Sequence, residues 1–232
     1  MLHLSNIQKA FQDTEVLKGC DYQFEAGKIT GILGRNGAGK TTLFNIVNQE
    51  LDADQGQVSW VQEGATRSLT SKDVGMVFAE NYLPDFLTGY EFVQFFLDLH
   101  GTEESLSPDE CLDMVAIGQE DRHRIIKGYS SGMQSKLSIL AVVIMQPPVI
   151  LLDEPLTSVD VVIGIQLKKL LKTLKPGRVI LLSTHILQLA TDLCDQVVLL
   201  KNGKLHPLDL DTHDPEFEAR LLEELEDGDS HD

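Results

Sequence analysis

Three stretches of this sequence carry side chains suited to work on a phosphate chain. The first is Gly34-Arg35-Asn36-Gly37-Ala38-Gly39-Lys40-Thr41, followed by Thr42. It fits the pattern G-x-x-x-x-G-K-[ST] at every fixed position. Glycines let a backbone curl so that successive N–H groups point inward at anionic oxygens. The Lys40 ammonium can neutralise the β- and γ-phosphates, and the Thr41 hydroxyl is a hard oxygen ligand for Mg²⁺. The second stretch is Val149-Ile150-Leu151-Leu152-Asp153-Glu154-Pro155, an apolar run ending in two acids. Asp153 can hold Mg²⁺ through water, and Glu154 can orient an attacking water or accept its proton. The third, Val179-Ile180-Leu181-Leu182-Ser183-Thr184-His185, delivers His185 as a candidate contact for the terminal phosphate. Taken alone the last two are weak, since an acidic turn after a strand is common and Ser183 or Thr184 can serve as a helix N-cap. The phosphate loop upstream gives them their meaning.

Elements must bring these residues to one place. Cys20, Tyr22 and Phe24 alternate with Asp21, Gln23 and Glu25 in the strand period. Lys28 to Leu33 is a short apolar run entering the glycine loop, and Leu43, Ile46 and Val47 then recur at helical spacing. From about Leu83 to Met145 the pattern is helical, with Phe92, Phe95, Phe96 and Leu99 on one face. Leu112 and Val115 repeat it after Pro108, a helix-start residue, and Pro147-Pro148 ends the segment. Strand and helix alternate again. Val149 to Leu152 precedes a helix with Ile163, Leu167, Leu170, Leu171 and Leu174 inward. Val179 to Leu182 precedes helical spacing at Ile186, Leu189 and Leu193. Val197 to Leu200 and the turn Asn202-Gly203 read as a last strand and hairpin, and Asp214-Pro215 is placed to cap a further helix. This alternation predicts a parallel sheet with right-handed crossovers, whose strand C-termini form the usual ligand edge. The plan is an α/β nucleotide-binding core interrupted by an all-helical insertion, with a short C-terminal extension.

At 232 residues the chain has room for one large α/β domain, alone or with a small subdomain. Its formal net charge of −17 repels nucleic-acid backbones, so no nucleic-acid partner is expected. Acids crowd Asp209 to Asp232, where Arg220 is the only Lys or Arg, and read as a solvated tail. Cys20, Cys111 and Cys194 are isolated and read as reduced thiols. No signal peptide is visible, and the longest apolar stretch, Ile139 to Met145, falls far short of the roughly 20 residues that span a bilayer. No direct membrane insertion is expected; a membrane role needs another chain to supply the spans.

In their order, GRNGAGKTT, YSSGM, VILLDEP, TSVD and STH resemble the nucleotide-binding domain of ABC (ATP-binding cassette) transporters, over Leu2 to about Leu205. The resemblance implies a P-loop NTPase (RecA-like) core with an N-terminal antiparallel β subdomain. It sets a nucleotide-binding domain at 1–207, a helical insertion at about 83–145, and an acidic extension at 208–232. ATP would lie on Gly34, Asn36, Gly37, Ala38, Gly39, Lys40, Thr41 and Thr42, with Mg²⁺ held by Thr41 and Asp153. Phe11 stands where the family stacks an aromatic ring on adenine; a strand-edge core residue is the other reading. Val16 would lie near the ribose. Tyr129-Ser130-Ser131-Gly132-Met133 occupies the signature position, usually LSGGQ. It keeps Ser130 and Gly132, which reach the γ-phosphate bound to a second subunit. This Tyr-Ser-x-Gly-Met form is similar to the subgroup serving type-2 exporters. Asp160, in Ser158-Val159-Asp160, matches the loop that crosses between subunits, and is equally a helix N-cap. The family's Mg²⁺-contacting Gln is replaced in strict register by Ala79, with Glu80 next.

The resemblance implies an ATPase in which two cassettes close head to tail around two ATP–Mg²⁺. Glu154 and His185 position the water, and the helical insertion passes the motion to a transmembrane permease, holding the subunit to the cytoplasmic face of the membrane. Leu83 to Glu91 is a candidate docking surface for that permease, or internal core of the insertion. Two other readings use the same motifs: a non-transport ATPase of the family, and a weakly hydrolysing partner in a heterodimer. The acidic charge weighs against the first, and the presence of both Glu154 and His185 against the second.

Overall fold

Apolar runs flanked by glycine and charge set the order of elements along the chain. The computed structural model describes residues 1–80, 82–101, 106–155 and 161–208, with the backbone alone at 161–163 and 167. Strands β1 (Leu2–Phe11), β2 (Thr14–Phe24) and β3 (Lys28–Leu33) lead into helix α1 (Lys40–Val47). Then come β4 (Gln55–Gln62), β5 (Ala65–Ser68) and β6 (Val74–Val77). Helices α2 (Gly89–His100), α3 (Pro108–Met114), α4 (Gln119–Arg122) and α5 (Ser131–Met145) follow. The chain continues through β7 (Val149–Asp153), α6 (Val161–Leu174), β8 (Val179–Thr184), α7 (Leu187–Leu193), β9 (Gln196–Lys201) and β10 (Lys204–Leu208). Two compact units divide these elements. Among the described residues, one is built from 1–74, 148–153 and 175–208, the other from 75–147 and 154–174.

The first unit holds two sheets. An antiparallel sheet runs in the order β2-β1-β4-β5. Its outer strand β5 is exposed throughout and polar, which blunts an edge open to foreign pairing. The second sheet runs β10-β9-β3-β8-β7 within this unit. β3 pairs in parallel with both β8 and β9, and β7 with β8. β7 and β8 are buried at every position, which is why they read as unbroken apolar runs rather than alternating ones. Asn202 and Gly203, with φ of 52° and 74°, make the tight turn into antiparallel β10. That strand runs to Leu208, one residue past the boundary expected at 207. Gly31 in β3 is a close approach: a Cβ there would meet the Cys194 sulfur at 2.9 Å.

The second unit packs α2 against α3, α4 and α5, and α5 against α6. Thr88 and Ser107 each cap a helix through a reciprocal capping box, with Glu91 and Glu110. Pro108 opens α3 as expected. The core gathers Phe92, Val93, Leu112, Ile126, Tyr129, Leu137 and Leu140. The predicted face of α2 needs correction. Phe92 and Phe96 turn inward, but Phe95 is 53% and Leu99 61% exposed, because the buried stripe runs through Gly89, Phe92 and Val93. Ile186 is likewise not an inward helical residue; it precedes α7 as its N-cap and is exposed. The segment 83–91 divides between its two readings. Leu83, Leu87 and Tyr90 pack on the core, whereas Phe86 is 74% exposed. Asp160 and the acidic extension from Asp209, including Asp214-Pro215, lie outside the described residues. No described helix is long and apolar enough to cross a membrane.

Burial pushes the Cys20 thiol up to about 11 and the Cys194 thiol up to about 12, with Asp21 and Asp195 adding a smaller upward push. The thiolate is the nucleophile. Alkylation at pH 8 should therefore spare both residues in the native protein and appear only as the first unit unfolds in denaturant, as followed by mass spectrometry.

Candidate functional site

Strand register decides where the three chemical stretches emerge. In the first unit Leu33 of β3 lies opposite Thr184 of β8, and Asp153 of β7 lies opposite Ser183. Gly34, Asp153 and the Ser183-Thr184-His185 turn therefore leave the sheet together, at the C-terminal ends of parallel strands.

The glycines of the loop are needed for different reasons. A Cβ on Gly34 would come within 2.7 Å of the Leu200 carbonyl oxygen. Gly37 has open space around it but a φ of 82°. Gly39 combines both constraints, with a φ of 103° and a would-be Cβ 2.8 Å from Val16. Gly39 is also the N-cap of α1, which has no side-chain cap and no acid in its first turn. The N–H groups of that turn thus face the loop without a carboxylate to compete for them, the arrangement that receives an anion. Lys40 is buried, and its Nζ donates to the carbonyl oxygens of Gly34 at 2.7 Å and Arg35 at 3.2 Å. The loop's own carbonyls thereby hold the ammonium at its mouth. Asn36 and Gly37 are exposed, Ala38 and Thr42 half-buried.

Asp153 is only 3% exposed and is held from two sides. Thr41 Oγ1 donates to its Oδ2 at 2.9 Å, and Ser183 Oγ donates to its Oδ1. An all-oxygen pair of one carboxylate and one hydroxyl beside a phosphate loop fits Mg²⁺, which takes a few protein oxygens and completes its shell with water and phosphate. Ser183 escaped the motif analysis as a partner of Asp153. Only the strand register shows that they meet. Thr184 is occupied locally, its Oγ1 accepting from the Ile186 N–H at 3.0 Å. His185 follows it and is exposed.

Beside the loop lies a cavity of about 340 Å³. Thr14, Glu15, Val16 and Lys18 of β2 line one wall, Arg35 to Ala38 another, and Leu200 to Gly203 a third. Val16 thus touches both the cavity and the loop. Phe11 ends β1 opposite Thr14 and is 45% exposed, with the Lys9 ammonium 5.7 Å from its ring centre. That exposure excludes the core reading and leaves a flat apolar face available for stacking.

In the second unit Ser130 is the N-cap of α5, accepting from the Met133 N–H at 3.3 Å, and Gly132 is buried in the helix's first turn. Ala79 and Glu80 are exposed, and Glu80 accepts a hydrogen bond from the Tyr82 hydroxyl at 3.2 Å. Glu154, the residue after Asp153, adopts a φ of 48°. This left-handed conformation is costly for a side chain with a Cβ and is typical of functional turns.

The ABC transporter family matches residues 17–157 of this sequence. The chain belongs to the ABC transporter ATP-binding family. It is 30% identical to the ABC transporter ATP-binding protein NatA of Bacillus subtilis over 218 residues, covering 88% of this chain and 87% of that one. It is 32% identical to a fluoroquinolones export ATP-binding protein of Mycobacterium tuberculosis over 199 residues, covering 84% and 65%. Among solved structures, the post-hydrolysis dimer of the ATP-binding cassette MJ0796 bound to ADP and Pi superposes with a TM-score of 0.75 at 25% identity, over 88% of this chain and 96% of that one. The ABC subunit is therefore an ATP-binding, ATP-hydrolysing protein with the P-loop NTPase fold, the kind that powers a membrane transporter. Subunits of this family dimerise and work with transmembrane permeases.

The glycine geometry makes a comparative prediction. Gly37→Ala should cost about 1–2 kcal/mol, the conformational penalty of a left-handed residue. Gly39→Ala should cost about 1–3 kcal/mol more, because its methyl also overlaps Val16. Urea denaturation of the nucleotide-free protein checks the difference.

Proposed function

We propose that this subunit powers export, and that it does so by closing head to tail with a second cassette around two ATP molecules. The observation that carries the chemistry is the Thr41–Asp153–Ser183 cluster, set at the mouth of a left-handed glycine loop. Export is supported by the Tyr-Ser-x-Gly-Met signature and by likeness to the fluoroquinolones export protein.

On this reading the N–H groups of the loop and Lys40 cradle the β- and γ-phosphates, with Phe11 stacked on the base and Val16 against the ribose. Gly34, Asn36, Gly37, Ala38, Gly39, Thr41 and Thr42 complete the cradle. Stacking reads a flat ring rather than hydrogen-bonding edges, so discrimination between bases is weak. Thr41 and Asp153 would hold Mg²⁺, which supplies charge neutralisation on the phosphate oxygens. Glu154 orients the attacking water and takes its proton, and His185 donates towards the γ-phosphate. Ser130 and Gly132 of the second subunit reach the same phosphate, aided by the N-terminal dipole of α5. Asp160, outside the described residues, would act near this junction, as the family resemblance implies. ATP bridges the interface and its cleavage releases it. A permease supplies the membrane spans, and the exposed Phe86 of segment 83–91, with Tyr82 just before it, is the surface that it meets. Glu80, already hydrogen-bonded to Tyr82, stands at the turn where the family places its Gln.

The first test is the size of the Glu154→Gln protein with and without ATP–Mg²⁺. An ATP-driven shift from monomer to dimer is expected, and a monomer that still binds ATP refutes closure of two identical subunits. Turnover of this variant should fall by at least about a hundredfold with ATP affinity kept, as removal of a general base requires. Lys40→Ala should weaken ATP binding by about ten- to a hundredfold, the loss of a charge-assisted contact. Phe11→Ala should weaken it by only about two- to tenfold. Unchanged dissociation constants would remove either residue from the site.

A further inference from the structure

Ser130 must present its hydroxyl in a fixed direction if it is to meet a phosphate on another subunit, yet it sits at an exposed helix start. Its Oγ accepts from the Met133 N–H at 3.3 Å, which leaves the hydroxyl proton to donate. A single long capping bond does not fix the backbone on both sides of it. Gln134 reaches back to the Ile126 carbonyl at 3.4 Å, and Arg124 touches residues on both sides close to Ser130. Its Nη2 donates to the Gly128 carbonyl oxygen at 2.9 Å and lies 3.9 Å from the Met133 sulfur. The guanidinium carbon stands 5.5 Å from the centre of the Tyr129 ring. Its Nη1 pairs with Asp121 Oδ1 at 2.8 Å. One planar group thus holds the residues two before, one before and three after Ser130.

The platform beneath is rigid. Tyr129 is 6% exposed and its hydroxyl donates to the Asp121 carbonyl oxygen at 2.7 Å. Its ring end fills the space beside Gly89, where a Cβ would lie 2.2 Å from the hydroxyl oxygen. Asp121 therefore anchors Tyr129 through its backbone and Arg124 through its carboxylate. The Arg124–Asp121 pair is itself half-exposed, at 46% and 31%, and such pairs add little to stability. The contacts specify geometry more than they hold the unit together.

We propose that Arg124 is a positioning residue for Ser130, setting the direction of the Ser130 hydroxyl and the first turn of α5 towards the partner's nucleotide. It acts through Gly128, Tyr129 and Met133 rather than by touching ATP. The fork of a guanidinium is required, because a lysine ammonium is a single point charge that cannot stack on Tyr129 and meet Gly128 together. The inference rests on the reading that Ser130 completes a site on a second subunit, and the test separates the two.

In the Glu154→Gln protein, ATP-driven dimerisation is measured by sedimentation for Arg124→Ala, Arg124→Lys and Ser130→Ala. Both Arg124 variants should raise the dimer dissociation constant by about tenfold, the effect of losing a charge-assisted contact. ATP binding to the monomer should be unchanged, and the melting temperature should move by no more than about 2 °C, as for an exposed ion pair. Weakened dimerisation for Ser130→Ala with normal dimerisation for both Arg124 variants overturns the positioning role alone. Normal dimerisation for all three overturns the composite-site reading beneath it as well. If Arg124→Ala melts well below the parent, Arg124→Lys decides: weakened dimerisation at normal melting supports positioning, and parental dimerisation refutes it.

Discussion

The parallel hydrogen bonding of β7, β8 and β3 governs what the sheet edge can do. It sets Asp153 opposite Ser183 and Thr184 opposite Leu33, so that a carboxylate, a hydroxyl and the start of the glycine loop share one level. A slip of one residue in β7 would turn Asp153 to the other face of the sheet. Its bonds from Thr41 and Ser183 would then be lost together. Apolar content alone does not enforce this register, because strands buried on both faces lack the alternation that penalises a slip. The specific contacts do: the two hydroxyls, Thr41 and Ser183, on Asp153.

Positive φ recurs along the motif segments. Gly37 and Gly39 in the glycine loop have it, and so does Glu154, the residue that follows β7. Glycine accommodates two of them at small cost, but Glu154 carries a Cβ and must be held by its surroundings. The strand before it is buried at all five positions. A turn following such a strand can keep a strained residue without local unfolding, and that is where the second acid of the pair stands.

Much of this was legible from residue order. The glycine loop, the apolar runs and the Asn202-Gly203 turn each carry a local signal, and the strands and helices fall where those signals put them. What escaped the sequence depends on partners far along the chain. Ser183 is thirty residues from Asp153, and nothing local marks it as a hydrogen-bond donor to that carboxylate. The face of α2 was misread because apolar side chains occupy most of its positions. Two stripes at helical spacing are then available, and only packing on α3 and α5 selects the one through Phe92 and Val93. Phe11 was expected to stack on the base, with a strand-edge core place as the other reading, and its ring is 45% exposed. Arg124 carries no motif at all, and its contacts around Ser130 appear only when α4 and α5 are placed together.

Those contacts belong to a longer chain of hydrogen bonds within the helical unit. The Ile126 N–H donates to the Leu87 carbonyl at 2.8 Å and the Lys127 N–H to the Asp85 carbonyl at 3.0 Å, with Thr88 bridged to Ile125 in antiparallel fashion. The stretch leading into Ser130 is thereby stitched to the stretch leading into α2, and Gly89 against Tyr129 closes the seam. Backbone bonds of this kind constrain direction as well as distance. Phe86, whose exposed ring stands between Asp85 and Leu87, thus lies beside the two residues whose carbonyls bond to the stretch that precedes Ser130. The segment leading into Ser130 is therefore tied by backbone hydrogen bonds to the stretch before α2 and by side chains of Arg124 and Tyr129 to its own turn.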